Sequence, residues 1–205
     1  MIKQIRNGLL GSNTYIFYNE ESKHGVIIDC GCRAYNAVEH TDKNGIIIDY
    51  IILTHGHFDH VDYIDEYVSA YPNAKLICHE DEIKVLLDPE ATLSAMISTS
   101  KKYNYPYITV CEGDIVTLDG GTSLKIIHSP GHTPGSMCLL CEDEQIIFTG
   151  DVLFASGYGR TDFKHGSYSD MIASLKRLLS LNENITFFAG HNEASKIGNE
   201  RCIYG

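Results

Sequence analysis

Four side chains able to ligate a metal fall within six positions in Thr54-His55-Gly56-His57-Phe58-Asp59-His60. Two imidazoles at i and i+2 of an extended segment can converge on one cation. Asp59 and His60, just past the turn, can face a second position nearby, and Gly56 lets the backbone bend close to both. Imidazole and carboxylate together suit zinc, iron or manganese better than the all-thiolate sets of structural zinc sites. Three further segments end an apolar run in Gly or Pro followed by a ligand type: Ser129-Pro130-Gly131-His132, Phe148-Thr149-Gly150-Asp151 and Phe188-Ala189-Gly190-His191. From His60 the steps to His132, Asp151 and His191 are 72, 19 and 40 residues. No local motif enforces such spacing, so a tertiary fold has to gather these groups.

The elements that would position them are short. Tyr15–Tyr18, Val26–Ile28, Ile46–Ile48 with Tyr50–Leu53, and Ala74–His79 are β-branched and aromatic runs separated by turn residues, which predicts strands. Val61, Ile64, Tyr67 and Val68 follow helical spacing between Asp59 and Tyr71, and Pro72 supplies the stop. A short helix is expected over Glu82–Leu87, whereas Glu90–Pro106 carries no clear pattern. Strands are expected again at Ile115–Leu118, Ser123–Ile127, Met137–Leu140 and Ile146–Phe148, in the manner of a meander. Ser167 can cap a helix whose apolar stripe is Met171, Ile172, Leu175, Leu178 and Leu179. A last strand, Ile185–Ala189, leads into Gly190-His191. Two groups of strands, each with helices needing a surface to cover, suggest stacked sheets with helices outside.

Composition narrows the function. At 205 residues a single domain spanning 1–205 is expected, since domains run to roughly 100–200 residues each. The 16 Lys and Arg against 27 Asp and Glu leave a formal charge of −11, which repels nucleic acid and anionic membranes. No apolar run approaches the roughly 20 residues that span a bilayer, and the first residues break polar too often for a secretory signal. Seven cysteines, an odd number without dense spacing, fit a reducing compartment. A soluble, cytoplasmic protein acting on a small molecule is the expectation, with no nucleic-acid or membrane partner.

On these residues the chain resembles the metallo-β-lactamase fold superfamily and, within it, the short glyoxalase-II-like hydrolases. The resemblance runs from Asn13-Thr14-Tyr15 and the Ile28-Asp29-Cys30-Gly31 turn through Gly190-His191. It implies an α/β fold, a four-layer αββα sandwich with a metal site at one edge of the two sheets. It also implies His55, His57 and His132 as ligands of a first divalent ion, Asp59, His60 and His191 as ligands of a second, and Asp151 as the bridge. Zinc is the first expectation for both ions, with iron or manganese as alternatives. Two ions about 3.5–4 Å apart would ionise a bridging water and polarise a carbonyl, and Asp59 would orient the resulting hydroxide by accepting its hydrogen bond. The implied activity is hydrolysis of thioesters or similar small acyl compounds. Gly159-Arg160-Thr161-Asp162-Phe163 also resembles a segment of the short branch, without an assigned role.

Two departures bear on substrate. Only 14 residues follow His191, so the helical region that cradles glutathione in larger glyoxalase II enzymes is missing and an open pocket with weak thiol preference is expected. Asn192-Glu193 replaces the family's Gly-Pro and brings an acidic side chain towards the expected pocket. Competing readings are a mononuclear iron persulfide dioxygenase-like oxidoreductase, a lactone or β-lactam hydrolase, and a non-catalytic metal-binding protein. Among the remaining histidines, His24 and His40 are expected in solvent, and His79 and His128 in structural roles or hydrogen-bonded behind the ligands. His165 is either an ordinary surface histidine or one at the pocket mouth. Cys138 and Cys141 should point to opposite faces of a strand as inert thiols. Tyr103, Tyr105 and Tyr107 are either a substrate-facing loop or surface aromatics.

Overall fold

Strands buried on both faces read as nearly continuous apolar runs, and this is what the central segments of the chain show. In a computed structural model, describing residues 1–6, 8–97 and 100–204, fourteen strands and six α-helices are assigned. The first sheet has the order of the sequence: β1 (Ile2–Ile5), β2 (Thr14–Tyr18), β3 (His24–Ile28), β4 (Ile47–Ile52), β5 (Lys75–His79) and β6 (Ile108–Val110). The first three strands are antiparallel and β3 to β6 are parallel. The second sheet is built from β7 (Ile115–Thr117), β8 (Ser123–His128), β9 (Met137–Cys141) and β10 (Ile146–Gly150) as an antiparallel meander. A two-stranded ribbon, β11 (Leu153–Phe154) with β12 (Gly157–Tyr158), stands apart. Finally β13 (Thr186–Ala189) pairs parallel to β10, and β14 (Ser195–Lys196) closes the edge.

Period-two alternation sorts the apolar side chains into three cores. Tyr15, Phe17, Ile28 and Ile52 of the first sheet meet Leu124, Leu139 and Phe148 of the second between the layers. Their neighbours Ile16, Ile27 and Ile51 face outwards and are covered by α1 (Tyr35–Asn44) and by the pair α2 (Phe58–Val61) and α3 (Ile64–Ala70). On the far side Ile127, Leu140 and Ile147 are covered by α5 (Tyr168–Leu179) and α6 (Ile197–Tyr204). The short α4 (Ile83–Leu86) follows β5. The layers are therefore helix, sheet, sheet, helix, as the resemblance implies. Each fully buried Leu, Ile or Phe in them contributes about 1.5–3 kcal/mol of transfer free energy.

Several elements depart from the sequence reading for local reasons. The single helix expected over Asp59–Tyr71 is two, because Cys30 N–H takes the His60 carbonyl and the Cys30 carbonyl takes Tyr63 N–H, diverting the helical ladder there. The two segments expected within Ile46–Leu53 form one strand, Ile47–Ile52. Helix α1 gives little periodic signal because only Ala37 and Thr41 are buried, and it is marked mainly by its left-handed Gly45 cap. Glu90–Pro106 stays irregular apart from a 3₁₀ turn at Ser94–Ile97, and positions 98 and 99 lie outside the described residues. Ser167 does cap α5, its Oγ accepting from Asp170 N–H at 3.4 Å.

The strands β8, β10 and β13 run in one direction, so the segments after them emerge at one edge of the sandwich, where the segments after β3 and β4 also arrive. Asn13 N–H to the Gly190 carbonyl (2.7 Å) and Met137 N–H to the Thr54 carbonyl (3.0 Å) tie the two sheets there. Gly131, with φ of 139°, packs so closely on α5 that an added Cβ would lie 2.4 Å from Met171 N and Cα. Gly131→Ala should therefore destabilise the metal-free protein by about 2–4 kcal/mol in urea unfolding, from overpacking plus backbone strain. A loss below about 0.5 kcal/mol would show that this loop is not pinned as described.

Candidate metal centre

The site is assembled from strand ends. Leu53 and Thr54 carry β4 out to His55, Gly56 and His57, and α2 then presents Asp59 and His60 from its first turn. The loop after β8 supplies His132, the β10 end supplies Asp151, and the β13 end supplies His191. All seven residues expected from the sequence meet here. His55, His57 and His132 each offer a ligand atom within 4.8 Å of the others, as do Asp59, His60 and His191. Asp151 lies between the groups, with its carboxylate 3.5 Å from His132, 3.4 Å from His60 and 3.5 Å from His191. Asp59 Oδ2 approaches His191 Nε2 at 3.2 Å.

The outer partners of the rings fix which nitrogen is bare. Thr54 Oγ1 donates to Asp29 (2.7 Å), so it accepts from His55 Nδ1 at 3.2 Å. His60 Nδ1 donates to Asp29 Oδ2 at 2.9 Å, and His132 Nδ1 to the Arg160 carbonyl at 2.7 Å. In each ring the outer partner holds Nδ1, so Nε2 is the nitrogen that faces the centre. His57 differs, presenting Nδ1 to His132 Nε2 at 2.8 Å. These contacts leave His55 Nε2, His57 Nε2 and Asp151 Oδ1 buried without hydrogen-bond partners, although buried polar atoms are nearly always satisfied. Imidazole nitrogens of His55, His57 and His132 that face one another, the last two through His57 Nδ1 and His132 Nε2, together with the orphaned Asp151 oxygen, are the donor set that a divalent cation completes. The residues present therefore fit metal ions.

Burial dominates the titration of His55 and His57, holding both imidazoles well below their ordinary range, and it lowers His132 as well. His60 and His191 go the other way. Burial opposes their charge, but Asp151 and Asp59 outweigh it and lift His60 to about 9 and His191 to about 10. For Asp151 burial is likewise outweighed, and His60 and His191 hold its carboxyl well below the usual range.

Asp59, His57, His132, Asp151 and His191 line a cavity of about 260 Å³ whose walls include Leu10, Leu93, Phe154 and Phe163. The Gly159–Phe163 segment thereby acquires a place: Arg160 holds His132 through its carbonyl, and its guanidinium sits 4.3 Å from the Phe163 ring centroid at the mouth. Glu193 does not enter the cavity lining and pairs instead with Arg6 outside. His165 is exposed and does not line the cavity either. His24 is not free in solvent but bonded to Asp49, and His40 is half-buried on α1. His79 stacks on His128, whose Nε2–H donates to the Pro134 carbonyl and so braces the His132 loop. Cys138 and Cys141 are buried on opposite faces of β9, facing the outer and the inter-sheet core respectively. The tyrosine patch is neither substrate loop nor surface: Tyr103 is fully buried, and Tyr105 and Tyr107 pack against the first outer core.

Sequence reasoning missed Asp29 and Glu82 as supports of the site. Asp29 receives Thr54 N–H, Thr54 Oγ1 and His60 Nδ1, and it sits with φ of 61° in a turn directly after β3. Its signal was its position, a carboxylate at a strand end. Glu82 had no signal beyond being one acid in the Glu80-Asp81-Glu82 run.

Comparison with known proteins agrees with this geometry. The metallo-β-lactamase superfamily matches residues 7–191. Hydroxyacylglutathione hydrolase GloC of Haemophilus influenzae is 31% identical over 191 residues, covering 89% of this chain and 86% of that protein. The crystal structure of the B3 metallo-β-lactamase BLEG-1 superposes with a TM-score of 0.89 at 30% identity, covering 98% of this chain and 96% of the other. That of TTHA1623 in a di-iron-bound form gives 0.85 at 28% identity over 97% and 96%. The chain belongs to the metallo-β-lactamase superfamily, whose members bind metal ions.

Metal ligation requires the lone pairs of His60 and His191, whose values are raised to about 9 and about 10 in the metal-free protein. Their Nε2 atoms are 3.2 Å apart, which disfavours two full charges, so zinc loading at pH 7.5 should release between one and two protons per chain. Because both values are raised, the release should vanish as pH passes about 10. Potentiometric titration in weak buffer checks this, and zinc uptake without proton release would contradict it.

Proposed function

We propose that this superfamily member is a dinuclear metal-dependent hydrolase of thioesters or similar small acyl compounds. The observation that carries the reading is Asp151, a buried carboxylate within 3.4–3.5 Å of histidines from both groups. In this reading His55, His57 and His132 hold one ion, Asp59, His60 and His191 hold the other, and Asp151 is shared. When bound, divalent ions supply Lewis acidity that ionises water near neutral pH and polarises an acyl oxygen.

The chain's own groups do the rest. Asp59, buried and acceptor-only when ionised, takes a hydrogen bond from the attacking water and orients it. Leu10, Leu93, Phe154 and Phe163 wall the cavity with apolar surface, which excludes bulk water and gives an acyl group somewhere to lie. Attack of water on the acyl carbon forms the new C–O bond, the C–S bond breaks with its electron pair on sulfur, and the water's protons pass to the thiolate and to solvent, leaving a carboxylate and a thiol. Thiolates leave readily without prior protonation, which favours thioesters over amides. Helix α6 packs on the outer face of the second sheet rather than over the cavity, which supports a small contact area for the thiol portion. GloC, a relative named for a glutathione thioester, supports the substrate class. Zinc is the ion we favour, and iron is an alternative that the di-iron form of TTHA1623 supports. We further propose a single catalytic domain working in the cytoplasm on a small molecule. No helix among the described residues is long and apolar enough to cross a membrane.

The test is kcat/KM of metal-loaded protein on matched thioester, lactone and β-lactam substrates. Thioesters should be the fastest class, and Asp59→Asn should lower their kcat/KM at least a hundredfold, roughly 2.7 kcal/mol. No thioester turnover, together with oxygen uptake on a persulfide, would overturn the reading in favour of an oxidoreductase.

A further inference from the structure

Glu82 is fully buried, between the 3₁₀ turn Glu80–Glu82 and α4, and its carboxylate is divided between two loops. Oε1 accepts from Gly56 N–H at 2.7 Å. Oε2 accepts from Gly135 N–H and from Thr133 Oγ1, both at 2.8 Å. Gly56 separates His55 from His57, and Thr133 follows His132, so one side chain joins the two segments that supply the histidine triad. The glycines make room for it. A Cβ on Gly135 would lie 2.6 Å from Oε2, and one on Gly56 would lie 3.0 Å from Oε1.

The chemistry of the three contacts favours one state of the carboxylate. Thr133 N–H donates to Ser136 Oγ at 3.0 Å, and the Ser136 hydroxyl in turn lies 2.8 Å from Thr133 Oγ1. With Ser136 donating to it, the Thr133 hydroxyl keeps its own proton for Glu82. All three partners are then donors, and a neutral carboxylic acid would turn its O–H against one of them. The three donors favour the anion, although burial pushes the Glu82 carboxyl up to about 7, and none of the three partners is a cation. A buried charge without a countercharge is costly.

We propose that Glu82 is a positioning residue and the countercharge of the His55, His57 and His132 triad. It sets the separation of the two ligand loops, and its negative charge is balanced when a cation occupies the triad. The inference rests on the metal-site reading of the triad and on no property of the substrate.

The experiment uses the whole chain with zinc as probe. Glu82→Gln keeps the shape, removes the charge and sets an amide N–H against one of the donors. In competition with a chromophoric chelator its tighter zinc equilibrium should weaken at least tenfold, and its zinc-induced rise in Tm should shrink relative to wild type. A residue that only braced the fold would lower the metal-free and loaded Tm together and leave the zinc affinity unchanged, and that result would overturn the proposal. Should Glu82→Gln fail to fold, Thr133→Val decides, since it removes one donor while keeping the charge. A three- to tenfold weaker zinc affinity is expected, and a wild-type affinity would overturn the proposal. Both measurements are made without substrate, so a protein inert to thioesters would defeat the proposed activity and leave this test intact.

Discussion

Two buried carboxylates and five imidazoles share one seam between the sheet ends, and their mutual electrostatics is the constraint on which the rest of the structure depends. Without a cation the seam is a compromise. His60 and His191 take up charge to balance Asp59 and Asp151, while burial keeps His55, His57 and His132 neutral. Polar atoms of His55, His57 and Asp151 remain without partners. Such an arrangement is strained by its polar atoms rather than by its backbone, and cations in the two groups relieve it.

Much of the surrounding architecture holds that seam open to metal. Asp29, the Thr54 hydroxyl and the Arg160 carbonyl each hold the outer nitrogen of a ring, so that the inner nitrogen is the one turned to the centre. The Asp59 turn is fixed from outside by Gly31, whose missing side chain admits the Asp59 carbonyl: a Cβ there would come within 2.1 Å of it. Rigid strand ends supply the positions, loops supply only the last one to five residues before His55, His57, His132, Asp151 and His191, and α2 carries Asp59 and His60. This is why the centre is built at the edge of a sandwich with three apolar cores behind it.

The site was more legible in the sequence than its scaffold. Seven ligand types at the ends of apolar runs stand out because histidine and aspartate are costly there without a purpose, and the same runs marked most central strands. What stayed hidden depended on contacts far apart in the chain. The break between α2 and α3 arises from the Cys30 backbone, roughly 30 residues upstream. Edge elements such as β1, β6 and β14 are too short to show periodicity, and α1 buries too little to show a stripe. Arg6, not visible as a partner in the sequence, draws Glu193 away from the pocket that its position after His191 suggested. Tyr103 read as either a substrate-loop or a surface aromatic, because its immediate neighbours are polar, whereas its hydroxyl reaches Asp62 and its ring completes the first outer core.

The count of bound ions tests the central claim most directly. Elemental analysis of fully loaded, gel-filtered protein should give two ions per chain for the wild type and one for His57→Ala, because each group of ligands holds its own ion and Asp151 serves both. A wild type that is fully active with a single ion would contradict the account.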